Sequence, residues 1–130
     1  MNEQRCFTPF IKEILAQHKV AAVLCLDQEL QGGPRTDRGL DCIRVVHLKD
    51  GLNERAVFKQ AVEALDELVQ GHGRVVVHCR AGRSRSVAVA AAYLMKAQQM
   101  EADVALEFVK AKRPSALAPE LILLVEEFQP

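Results

Sequence analysis

One stretch leaves few choices about what can surround it: Val75-Val76-Val77-His78-Cys79-Arg80-Ala81-Gly82-Arg83-Ser84-Arg85-Ser86. Three β-branched residues in a row favour a strand. Five residues, Gly82 among them, then separate Cys79 from Arg85, and an apolar stretch with helical character opens at Val87. The reading is strand, tight loop, helix N-terminus. A loop that gathers backbone N–H groups at the positive end of a helix dipole is an anion site. A cysteine there has its thiolate stabilised. Arg85 adds a planar fork of donors matched to two phosphate oxygens. A thiolate under a bound phosphate is equipment for phosphoryl transfer through a cysteinyl-phosphate. The backbone of Arg80, Ala81, Gly82, Arg83, Ser84 and Arg85 is expected to bind that phosphate, with Gly82 letting the chain fold inward without a Cβ in the way. A lone strand cysteine is usually core filler. Here Cys, Gly, Arg and Ser fall together between a strand and a helix, and that grouping points to a site.

His-Cys-x-x-Gly-x-x-Arg-Ser, as it stands at 78–86, resembles the signature of the cysteine-dependent protein tyrosine phosphatases. The flanking Val75-Val76-Val77 and Ala92-Tyr93-Leu94-Met95 are most similar to the dual-specificity branch. The motif is highly specific, and a weaker likeness of order and length covers nearly the whole chain. The resemblance implies a metal-independent phosphatase acting on phosphotyrosine, and on phosphoserine or phosphothreonine, in phosphorylated proteins or peptides. It implies no cofactor. In the family the serine after the arginine, here Ser86, donates to the thiolate and eases breakdown of the phosphoenzyme; a helix N-cap is the other reading of Ser86. His78 precedes the nucleophile on the strand, so alternation turns it away from the substrate. Either it makes a hydrogen bond that fixes the loop or it is a satisfied core histidine.

The leaving oxygen needs a proton, and a carboxylic acid on a loop can supply it, then act as base for the attacking water. Asp50 is the candidate, 29 residues before Cys79 in Val45-Val46-His47-Leu48-Lys49-Asp50-Gly51. The family carries its acid in this place. Many tyrosine-specific relatives have Trp-Pro-Asp here; this chain has no tryptophan and no proline before Asp50, a departure that fits the dual-specificity branch. Glu54 and Asp41 are the fallbacks. Arg80 and Arg83 either project into solvent or face the pocket mouth, where they would contact further phosphates or acidic side chains. That second placement resembles the lipid-directed branch and keeps a phosphoinositide or other polyanion open as substrate. A phosphate-binding module without turnover is the third reading, against which Cys79, Arg85 and Asp50 all stand intact. No Gly-x-x-x-x-Gly-Lys-Ser/Thr occurs, so the loop is not of the Walker type.

With 130 residues the chain suits one domain, expected over 1–130. Net charge is zero, so no global field draws it to nucleic acid or to a membrane surface. Cys6, Cys25, Cys42 and Cys79 form no C-x-x-C pair, which disfavours a zinc site. With no secretory segment read at the start, the thiols are expected reduced and the protein cytoplasmic; it is taken as a monomer. Cys25 and Cys42 are expected on strands beside the central one, where either is a candidate to resolve an oxidised Cys79 as a disulfide.

The pattern predicts a helix from Thr8-Pro9 to about His18-Lys19, strands over 20–26 and 42–48, and a polar loop between them with Gly32-Gly33-Pro34 and Gly39. An amphipathic helix over 54–70 follows, with Asn53 as N-cap and Gly71 as its stop. A strand over 74–78 and helices over 86–98, 101–112 and from Pro119 or Glu120 through 128 complete the reading. The fold expected is α/β, a small, largely parallel central sheet flanked by helices on both sides.

Overall fold

The computed structural model describes residues 21–27, 42–79, 84–112 and 115–130. The helix expected near residues 8–18 and the Gly-rich loop before residue 42 lie outside them.

Continuous apolar runs make buried parallel strands because such strands bury both faces. The chain follows this rule at β1 (Ala22–Asp27), every residue of which is buried. It is the middle of a three-stranded parallel sheet, between β2 (Cys42–Leu48) and β3 (Val75–His78). Ala22 stands level with Cys42 and with Val75, and Cys25 with Val45 and with His78. The ladder to β2 slips between Cys25 and Asp27, so Asp27 lies opposite Leu48.

Two parallel neighbours need a crossover, and α1 (Arg55–His72) supplies it between β2 and β3. Phe58, Ala61, Val62, Leu65 and Leu68 recur at helical spacing and are buried. They join Ala22, Leu24, Leu26 and Leu48 in one core, each large side chain contributing about 1.5–3 kcal/mol. Next comes α2 (Arg85–Gln98), which packs against α1 and β3. Its buried Ala88, Ala91 and Ala92 take little room, which lets the chain pack closely around it. Against α2 lie α3 (Ala102–Lys110) and α4 (Pro119–Glu126), the latter opened by its proline. No helix among the described residues is long and apolar enough to cross a membrane.

Three local expectations are corrected. Asn53 does not cap α1; Glu54 holds that position without a side-chain bond, and the Asn53 carboxamide turns back onto the preceding loop. Gly71 does not stop the helix. It lies inside the last turn, and the stop is Gly73, whose φ of 84° and N–H to the Val69 carbonyl end the helix. Phe128 lies beyond α4, set edge-on against Phe58 with ring centroids 6.1 Å apart.

A methyl group at Gly71 or at Gly73 would meet nothing within 4 Å, so substitution there tests backbone conformation alone. Gly71→Ala is expected to stabilise the fold by up to about 1 kcal/mol through helix propensity. Gly73→Ala should cost about 1 kcal/mol or more, because its φ is one that side chains resist. Urea unfolding midpoints of the two variants should move in opposite directions.

Candidate active site

Alternation along β3 sends Val75, Val77 and then Cys79 toward α1 and α2, and Val76 and His78 to the other face. Cys79 follows the last residue of the strand and is only 4% exposed, packed in the core with Leu24 and Leu26. Six residues later α2 begins at Arg85. The Cys79 Sγ lies 3.4 Å from the Ser86 Oγ, with both groups buried. As a thiol Cys79 donates to that hydroxyl; as a thiolate it accepts from it. Ser86 therefore sits in the first turn of α2 and not at its cap, which corrects the capping reading. Ser84 holds the cap position, yet its buried hydroxyl makes no bond to its own helix. It accepts the Ala118 N–H at 3.2 Å, tying the end of the loop to the segment before α4.

Arg85 reaches sideways. Its Nη1 donates to the Leu48 carbonyl at 3.1 Å, across 37 residues of sequence. Leu48 ends β2, and the exposed loop that follows carries Asp50. The carboxyl edge of the sheet thus holds Cys79, Ser86, Arg85 and the root of the Asp50 loop together. Within that loop Asn53 Oδ1 accepts the Lys49 N–H at 2.8 Å, while Nδ2 donates to the Lys49 carbonyl at 2.9 Å and to the Gly51 carbonyl at 3.1 Å. Glu54 is exposed at the start of α1. Arg80, Ala81, Gly82, Arg83 and Asp41 lie outside the described residues.

His78 stands level with Cys25, so its imidazole is on the face away from Cys79, as alternation predicts. Its buried Nδ1 has no hydrogen-bond partner among the described residues. Burial lowers its basicity below the ordinary value of 6.5; the Asp27 carboxylate works in the opposite direction, and the Arg85 guanidinium adds to the lowering.

The register also bears on the two candidate resolving cysteines. Cys42 is level with Val75, four residues behind Cys79, or about 13 Å along the strand direction. Its Cα is too far for a disulfide, which spans about 4.4–6.8 Å. Cys25, opposite His78, points to the face that Cys79 does not share. Neither is aligned to bridge Cys79 in this fold. No group of three or more His, Cys, Asp or Glu side chains suited to a metal occurs among the described residues.

Sequence reading missed the bond from Arg85 to Leu48, the Ser84 tie and the Asn53 clip. The first two had no local signal. The third had one, since asparagine near Asp-Gly commonly bonds to backbone a few residues away.

Comparison with known proteins places this geometry. The pattern of the dual specificity phosphatase catalytic domain matches residues 7–126. The chain belongs to that family. Dual specificity protein phosphatase 1 of Arabidopsis thaliana is 37% identical over 105 residues, which are 81% of this chain and 52% of the relative. Dual specificity protein phosphatase 1 of Homo sapiens is 39% identical over 72 residues, 55% of this chain and 19% of that protein. The chain thus spans about half the length of the first relative and a fifth of the second. In three dimensions human DUSP28 superposes with a TM-score of 0.74 at 26% identity, covering 89% of this chain and 78% of the other. The small parallel sheet with helices around it is the fold of this phosphatase family.

The partly buried imidazole predicts a pH dependence. A histidine held below its ordinary value binds fewer protons folded than unfolded. Its contribution to stability is therefore present above about pH 6.5 and is lost as pH falls through the folded value. The urea midpoint of the wild type should fall between about pH 7 and pH 5, and His78→Gln should show a flatter dependence over that window.

Proposed function

We propose that this chain catalyses metal-independent hydrolysis of phosphotyrosine, and of phosphoserine or phosphothreonine, in phosphorylated proteins through a cysteinyl-phosphate. The observation that carries the reading is the Cys79 Sγ at 3.4 Å from the Ser86 Oγ, in the first turn of a helix that begins at Arg85. Family membership and relatives named dual specificity phosphatases support it.

In the first step the Cys79 thiolate attacks phosphorus. An S–P bond forms, the P–O bond to the substrate breaks, and its electron pair leaves on the oxygen. Asp50 gives that oxygen its proton. Charge on the transferring group is met by the guanidinium of Arg85, by the backbone N–H groups of residues 80–85 and by the positive end of α2. With Nη1 donating to Leu48, the Nε and Nη2 edge is the fork offered to phosphate.

In the second step water attacks phosphorus and gives a proton to the Asp50 carboxylate. The S–P bond breaks, inorganic phosphate forms and the electron pair returns to sulfur. Ser86 donates its hydroxyl to the departing thiolate, which makes Cys79 a better leaving group. A cytoplasmic setting, where the thiol stays reduced, and a single domain spanning 1–130 belong to the same reading.

Cys79→Ser and Arg85→Ala are each expected to abolish turnover of an aryl phosphate, and Arg85→Lys to be nearly as poor, because a point charge cannot form the fork. Chelators should leave the wild type unaffected. Asp50→Asn should lose far more rate on phosphotyrosine peptide than on an aryl phosphate with an activated leaving group, since an acid matters most when the departing oxygen is basic. Steady-state rates on the two substrates check both statements; full activity of Cys79→Ser would remove the covalent route.

A further inference from the structure

We propose that Asn53 is a positioning residue for the acid: its carboxamide fixes the loop that presents Asp50. The inference rests on the reading of Asp50 as acid and adds to it how that group is held.

The loop has little else to fix it. Asp50 is exposed, Leu52 is 77% exposed, and a Cβ at Gly51 would meet nothing within 4 Å. Apolar packing therefore does not set the tip. Instead one side chain bonds to both sides of Asp50. The Asn53 Oδ1 takes the Lys49 N–H, and Nδ2 holds the Lys49 carbonyl, which belongs to the peptide bond leading into Asp50. The same Nδ2 holds the Gly51 carbonyl, on the far side of Asp50. Both amide hydrogens and the amide oxygen are used within the loop. Upstream, the Leu48 carbonyl receives Arg85. The acid's backbone is thus clipped across its base by Asn53 and tied at its root to the phosphate clamp.

The carboxamide is needed in full for this. Serine or alanine at 53 cannot span three backbone groups, and aspartate keeps the acceptor for Lys49 N–H but loses both donors. A loosened loop leaves the nucleophile in place and misaligns the proton donor, and misplacement of about 1 Å costs up to 10²-fold in rate. Glu54, at the cap position of α1, would be little affected.

The test compares wild type, Asp50→Asn, Asn53→Ala, Asn53→Asp and the double variant Asp50→Asn with Asn53→Ala. Substrates are a phosphotyrosine peptide and an aryl phosphate with an activated leaving group. Asn53→Ala is expected to lose about tenfold in kcat on the peptide and less than about threefold on the activated ester. KM should change little, and the alkaline limb of the pH–rate profile, where the acid loses its proton, should flatten. Asn53→Asp should recover part of the loss, and it serves as the test if the alanine variant does not fold. In the Asp50→Asn background Asn53→Ala should add nothing. Equal losses on both substrates, or a further loss in the double variant, would overturn the positioning role while leaving Asp50 as acid. If Asp50→Asn itself shows no preference for the poor leaving group, the acid reading fails and the role of Asn53 fails with it.

Discussion

A parallel sheet has one edge at which all its strands end, and the hydrogen bond from Arg85 to the Leu48 carbonyl crosses that edge. Arg85 and Leu48, far apart in sequence, meet there only because β2 and β3 both run parallel to β1. Had either strand been reversed, Asp50 and Cys79 would lie at opposite ends of the sheet. The α1 crossover is what permits the parallel order, so the site depends on a helix that supplies none of its chemistry. Ligand crevices outside the carboxyl ends of parallel strands follow from the same geometry in other α/β folds.

Beneath that edge the site is continuous with the core. Cys79 packs with Leu24 and Leu26, and Ser86 lies beside the buried Val87 and Ala88. The Cys79 sulfur therefore has its position set by close packing, which resists small shifts. The opposite face of the sheet does different work. It buries Val23, Cys25 and Asp27 with the partly buried His78, so an ionisable pair lies on the face of the sheet away from Cys79. Acid is therefore expected to act on stability from the rear of the sheet, through a histidine whose basicity burial lowers.

Much of this was legible in the chain because the signals are local. The run Val75-Val76-Val77 into Cys79 marks strand and loop, and the limits of Cys42–Leu48 agree with the apolar pattern. What escaped depends on distance or on a choice between near-equivalent residues. Gly71 and Gly73 are both plausible stops, and only the one with positive φ ends the helix. Ser84 and Ser86 are both plausible caps; burial against Cys79 and Ala118 decides their roles. Asn53 and Glu54 compete for one cap, and the loop wins the asparagine because it offers three backbone partners. Strand alternation indicated the face of His78. It could not indicate that Cys25 stands opposite His78 and that Cys42 stands four residues behind Cys79, since register belongs to the pairing and not to either strand.

The central claim is that the phosphoryl group passes through Cys79 sulfur. Its most direct measurement is acid quenching of the enzyme during turnover of a radiolabelled phosphotyrosine peptide, followed by peptide mapping. The account predicts label on the peptide containing Cys79 as an S-phosphocysteine whose phosphate iodine releases, accumulating further in Ser86→Ala as breakdown slows. Turnover at the normal rate with no label on Cys79, in the wild type and in Ser86→Ala alike, would contradict it.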